Sequence, residues 1–272
     1  MEIIEKEEQL VNAIKNKIVG YPSLDNSVIT FSGERNILYC EDGVKIRSSN
    51  ISFHGNDSVI YLSKSYHDYA MNINIHNNST CFIGCNNYFN NVININLSEE
   101  KNVFIGNGCL LSFGIWIRNA DPHLIYDVNS HKRINMSKSV YIGDHVWIGQ
   151  NVLLLKGTKI GSGSIISANA VLTGKTYESN KVYGGNPARK LKNDIFWLPD
   201  CVHGWTKKET NEKLYDSRID YTYDKDCETI EFDEIEKRLV SKRKAKTKLE
   251  VLCTLAKNQN KNRFAINNIE EE

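Results

Sequence analysis

Proline is scarce in this sequence, 4 residues in 272, and turns are marked instead by polar clusters such as Gly55-Asn56-Asp57 and His76-Asn77-Asn78. No apolar run approaches the roughly 20 residues needed to span a bilayer, which excludes a membrane-spanning helix. The first ten residues, MEIIEKEEQL, are charged and lack a continuous apolar stretch, so a secretory leader is not expected. Seven cysteines, odd in number and irregularly spaced, argue against a disulfide framework and for a reducing compartment. The formal net charge is only +1, so the chain shows no nucleic-acid footprint. These absences leave a soluble, cytoplasmic protein as the expectation. The length suits one long domain with appendages.

What is present is periodic. Aliphatic residues recur at every sixth position, Ile142, Ile148, Leu154, Ile160, Ile166 and Leu172, in six units running from Ile142 to Tyr177. Four positions after each start stands a small or β-branched residue: Val146, Val152, Thr158, Ser164, Ala170 and Thr176. A six-residue period fits neither an amphipathic helix nor a long flat strand. It fits an all-β solenoid, a parallel β-helix with one short strand and one bend per unit and three units per coil. The aliphatic residue fills the interior and the small one fits where the wall turns.

A second, looser period of 22 residues precedes it, aligning Ile29, Ile51, Ile73 and Ile95, then Phe31, Phe53, Ile75 and Leu97. Further columns hold Gly33, Gly55, Asn77 and Glu99, and Ile37, Val59, Cys81 and Val103. Alternation such as Ile93-Asn94-Ile95-Asn96-Leu97 supports strands with one face inward. The solenoid is therefore expected from about Val28 to Tyr183, within a domain spanning 23–198. Between Ile117 and Val140 the pattern lapses into a polar segment with two histidines, read as an extruded loop over 118–139. Residues 1–22 read as a helical cap, with Ile3, Ile4, Leu10, Val11, Ile14 and Ile18 at helical spacing. Such a cap would cover the open strand edges of the solenoid. The extension 199–272 reads as mostly helical, with one helix over 231–257. Its basic cluster, Lys237, Arg238, Lys242, Arg243, Lys244, Lys246 and Lys248, is either a solvated face or a contact for an anionic glycan or a membrane-bound assembly.

The hexapeptides followed by GGNPARKLK (184–192) resemble the left-handed β-helix acyltransferases of the hexapeptide family. IGDHVWIG (142–149) is similar to the sugar and xenobiotic O-acetyltransferase branch. IRNADPHLIYD (117–127), RIN (133–135) and the stretch over 30–55 resemble the bacterial polysialic acid and capsule O-acetyltransferases. The resemblance covers about 28–198. It implies a left-handed parallel β-helix, a homotrimer with sites between subunits, and acetyl transfer from acetyl-CoA to a sugar hydroxyl without a metal. The acceptor it implies is sialic acid in a capsule or lipooligosaccharide. It also implies site residues: His123 as the catalytic loop histidine and Trp147 beside the thioester. Gly149, Ala168, Thr173 and Lys175 fall on the pantetheine channel, Arg189 and Lys192 near the CoA phosphates, and Asn119 and Asp121 near the acceptor sugar.

The chemistry agrees with a minimal site. A sugar hydroxyl is a poor nucleophile and needs a base titrating near neutrality, and attack on a thioester creates an oxyanion that needs N–H donors. His131 and His145 are the competing histidines; a turn role is the default for His145. Cys81 and Cys109 are expected in the core, and Trp197 and Trp205 to anchor the tail to the last coil. Other acceptors, an amino sugar or a small molecule, are the alternative, followed by a purely structural β-helix. A zinc carbonic anhydrase would need three converging histidines, and no matching pair is present.

Overall fold

The computed structural model describes residues 1–218 and 220–267. Its body is a parallel β-solenoid with three long sheets around one core and a short fourth, Ser23–Asp25 paired with Lys45–Arg47. The first sheet stacks Glu2–Ile4, Val28–Phe31, Asn50–Phe53, Met71–Ile75, Ile93–Leu97, Trp116–Arg118, Leu153–Leu154 and Val171–Leu172. The second runs from Lys17–Val19 through Ile37–Cys40, Val59–Leu62, Thr80–Ile83, Asn102–Ile105, Val140–Ile142 and Lys159–Ile160 to Thr176–Tyr177. The third begins at Tyr88–Phe89 and continues through Leu110–Leu111, Trp147–Ile148 and Ile165–Ile166 to Val182–Gly184.

The hexapeptide columns are the inward columns. Ile142 and Ile160 pair in register on the second sheet, Ile148 and Ile166 on the third, Leu154 and Leu172 on the first, and all six are fully buried. Burying a side chain of this size stabilises by about 1.5–3 kcal/mol relative to exposure, so the stack supplies much of the driving force. The corners keep the same period. His145, Asn151, Gly157, Gly163 and Asn169 all have φ between 52° and 82°, the left-handed turn that Gly and Asn adopt at least cost. The sixth unit is one residue short. Tyr177 takes the inward position below Ile160, and Thr176 is exposed instead of buried.

The 22-residue columns stack as expected on the first sheet, where Ile29, Ile51, Ile73 and Ile95 lie in register. On the second sheet the fourth column slips. Cys81 pairs with Ile60, and Ile37 and Val59 sit one residue out of line with it. The corner after Ile75 is one residue shorter than the corner after Phe53, and a one-residue shift turns a side chain to the other face. Leu38, Ile60, Cys81 and Val103 are the true inward residues, while Ile37 and Val59 face outward.

Two ends differ from expectation. Residues 1–22 are not a helix. Glu2–Ile4 pairs antiparallel with Val28–Phe31 and covers that edge, a 3-10 turn follows over Glu7–Asn12, and Lys17–Val19 already lies parallel on the second sheet. Coiling thus starts before Val28; Ile3, Val11 and Ile14, placed on a helical stripe by spacing, are exposed. The extension is less helical than expected, with α1 (Lys207–Glu212), α2 (Phe232–Val240) and α3 (Ala245–Lys257), the last two separated at Ser241–Lys244.

The extension folds back over the second sheet. Its outward column is aromatic, Tyr39, Tyr61, Phe82, Phe104 and Tyr141, with ring centroids 4.5–6.2 Å apart. Phe232 and Phe264 close over Phe104 and Tyr141, joined by Ile235, Leu239, Leu252 and Leu255. Polar latches fix the register of this lid. Glu236 accepts from Asn102, Ser139 and Tyr141, and Arg263 grips both Asp144 oxygens with the two donors of one guanidinium edge, Nε at 2.6 Å and a terminal nitrogen at 2.8 Å. The basic cluster is accordingly broken. Lys248 is buried, donates to the Asn78 carbonyl and is pushed by burial down to about 8, and Arg243 pairs with Glu100. Removing one partner of a buried ion pair costs about 3–5 kcal/mol, so Arg263→Ala is expected to lower stability to chemical denaturation by that order. An unchanged denaturation midpoint would show that the tail is not locked at Asp144.

Candidate functional site

The loop between the first and second sheets is a short arm with a built base. Asn119 ends the Trp116–Arg118 strand and is fully buried; its amide donates to the Ser98 carbonyl and its oxygen accepts from Ser98 N–H. That side chain is spent on the corner and faces no acceptor. The arm then runs out and back, bridging Tyr126 to Arg133, with Asp127 N–H on the Lys132 carbonyl and Ile134 N–H on the Ile125 carbonyl. Glu99 clamps the returning strand through Arg133 at 2.5 and 3.0 Å and through the Ser137 hydroxyl.

Asn135 staples the two arms. Its NH2 donates to the His123 carbonyl at 2.7 Å and to Asp121 at 3.2 Å, and its oxygen accepts from Ile125 N–H. The backbone of His123 is therefore fixed while its imidazole is exposed and has no hydrogen-bond partner among the described residues. Asp121 forms an ion pair with Lys156 at 2.5 Å, which holds its carboxyl below the usual aspartate range. Sequence reasoning named Asp121 but missed Lys156, Glu99 and Asn135. The RIN segment was the available signal for Asn135; the lysine lies 35 residues away and had none.

The other histidines part ways. His131 is exposed at the arm's turn with φ 53°. His145 is buried at a solenoid corner, stacked on Trp197 at 3.9 Å and on Tyr221 at 4.2 Å, with reciprocal hydrogen bonds to the Trp197 backbone carbonyl and from its indole. Burial lowers its pKa, keeping the ring neutral. Trp197 thus anchors the tail as expected, and Cys81 and Cys109 are core residues. Among the described residues, no three His, Cys, Asp or Glu side chains gather as a metal set.

The expected CoA-channel residues fall on two edges of one solenoid. Trp147, 39% exposed, lies outward on the third sheet. Gly149 and Ala168 stack at the corner leading to the first sheet, where a β-carbon on Gly149 would meet Ala168 N at 2.7 Å. Arg189 and Lys192 sit nearby on the exposed strand Arg189–Lys192, which returns antiparallel along Val182–Gly184. Thr173 and Lys175 are exposed at the other corner, between the first and second sheets, where the arm also emerges. That corner is opposite the third sheet. Hence one chain does not bring His123 to Trp147.

Fold and site together describe a hexapeptide β-solenoid with an extruded histidine-bearing arm, and residues 139–174 match the family described as bacterial transferase hexapeptide (six repeats). The structure is similar to that of the polySia-specific acetyltransferase NeuO, at 28% identity and TM-score 0.62, over 73% of this chain and 93% of that one. It is also similar to the polysialic acid O-acetyltransferase OatWY, at 29% identity and TM-score 0.58, over 74% and 97%. No curated protein matches the chain. No helix among the described residues is long and apolar enough to cross a membrane.

The arm's clamp has a definite pH window. Hydrogen bonds from Arg133, then Ser137, pull the Glu99 carboxyl from 4.5 to about 2. A depressed carboxyl favours the folded arm fully above the unfolded value and loses that contribution as pH falls through the folded one. The Glu99 side-chain carbon resonance is expected to titrate with a midpoint near 2 in the native protein and to move towards 4.5 in Arg133→Gln. An equal midpoint in both proteins would remove the clamp from the account.

Proposed function

We propose that this protein transfers acetyl from acetyl-CoA to a sugar hydroxyl of a bacterial surface glycan, with sialic acid in a capsule or lipooligosaccharide as the acceptor. The carrying observation is the likeness of most of the chain to two O-acetylating or acetylating enzymes of polysialic acid, at 28% and 29% identity. The site chemistry is compatible. His123 stands on a braced backbone with a free imidazole, suited to take the proton of an attacking hydroxyl. Acetyl-CoA supplies the activated acetyl group. Trp147 lines the thioester end, Lys175 borders the pantetheine channel, and exposed Arg189 and Lys192 offer charge for the phosphates. Gly149, Ala168 and Thr173 leave the corners low enough for a pantetheine chain.

The same geometry favours a trimer; left-handed winding is what the resemblance implies. His123 and Trp147 lie on opposite parts of one solenoid, so a complete site needs two copies. The second sheet is covered by α2 and α3, leaving the first and third for contact. Those faces carry exposed Trp116, Trp147 and Tyr88, and large apolar residues in such a patch mark interaction surfaces.

Removal of a general base costs about 10²–10⁴ in rate. His123→Ala is expected to lose that much kcat in a CoA-release assay with α-2,8-linked sialic acid oligomers, with acetyl-CoA binding retained. His131→Ala should be near normal, and His145→Ala should act on stability. Near-normal kcat in His123→Ala would remove the base assignment, and acetylation of neutral oligosaccharides alone would overturn the sialic acid acceptor. Light scattering at micromolar concentration should give a trimer; an active monomer would contradict the shared site.

A further inference from the structure

A cleft of about 390 Å³ lies between the arm and the outward face of the first sheet. Its floor is an amide ladder. The His54 ring bonds to the Asn74 oxygen at 2.8 Å, and the Asn74 NH2 donates to the Asn96 oxygen at 3.2 Å. The next residue in register is Arg118, which has no acceptor to offer. The ladder therefore ends with the Asn96 NH2 beside a guanidinium, two donor groups with no acceptor partner among the described residues. Arg118 is half-buried and lies over the Trp116 ring at 4.9 Å, a stacking that orients the planar fork and leaves its edges free.

Charge narrows the ligand. Two carboxylates border the same cleft, but Glu99 is paired with Arg133 and Asp121 with Lys156. Arg118 remains as one uncompensated positive charge. A carboxylate fits both the single charge and the two-pronged geometry. A phosphate dianion would bring a second charge against Glu99 and Asp121.

We infer that Arg118, with the terminal Asn96 amide, binds the carboxylate of a sugar-acid residue in the acceptor glycan. This rests on the proposed glycan acceptor and names the group by which the cleft recognises it. Arg118 is a specificity residue: it holds the acceptor beside the arm and takes no part in proton transfer.

The test reads equilibrium binding, with CoA release followed in parallel. The probes are α-2,8-linked sialic acid oligomers and the same oligomers with carboxylates reduced to alcohols. Loss of a charge-assisted bidentate contact is worth about 10–100-fold in affinity. Wild type is expected to bind the carboxylated oligomer tighter by that factor. Arg118→Gln should bind both forms equally weakly, and Arg118→Lys, which keeps charge without the fork, should fall between; each variant is checked for a native circular dichroism spectrum. Wild type binding both forms equally, binding neither, or Arg118→Gln or Arg118→Lys retaining the full carboxylate preference would overturn the inference. Carboxylate-dependent binding without CoA release would support Arg118 as the reader and count against the proposed transferase function.

Discussion

Each coil must return an aliphatic side chain to the same three inward columns, and every other feature depends on that return. The columns bury Ile142, Ile148, Leu154 and their partners completely, and the parallel ladders between coils satisfy the backbone that burial strips of water. Corners then have little freedom. They bend through left-handed residues every sixth position over His145–Asn169, and where a coil gains or loses one residue, as after Ile75, the next side chains change faces.

Because the wall is so regular, specific chemistry concentrates in the irregular arm and in the few outward side chains of the wall beside it. The arm leaves the wall at one corner and is held by Asn119 at its root, by Glu99 through Arg133 and Ser137, and by Asn135 at its waist. This bracing leaves the His123 imidazole without a hydrogen-bond partner among the described residues. The arm also forms the wall of the cleft in which Arg118 stands.

The extension does a different job. A solenoid face with stacked Tyr61, Phe82, Phe104 and Tyr141 would be a large exposed apolar strip. Helices α2 and α3 cover it, and Arg263–Asp144 and Glu236 set where they lie. Covering one face also limits which faces another copy can use, so a segment distant from the arm in sequence constrains the proposed shared site.

The hexapeptide columns, the inward column of the first sheet and the extruded arm were legible in the sequence because each depends on residues within one or two repeats; the second sheet's column was not, because both of its faces are apolar. His145 as a corner residue was legible for the same reason, a position in a known period, and Trp197 as an anchor from a large aromatic just past the last coil. The N-terminal residues misled because Ile3, Leu10 and Ile14 at helical spacing also suit a chain folded back on a sheet edge, and the neighbouring strand decides between them. Burial of Asn119, the pairing of Asp121 with Lys156 and the solitary charge of Arg118 were decided only by tertiary structure. So was the lid over the second sheet, joined by residues 119 apart at Arg263–Asp144. Hydrophobic period is a local property of the chain, whereas which polar group finds a partner, and which is left to meet a ligand, depends on contacts that exist only after the coils have stacked.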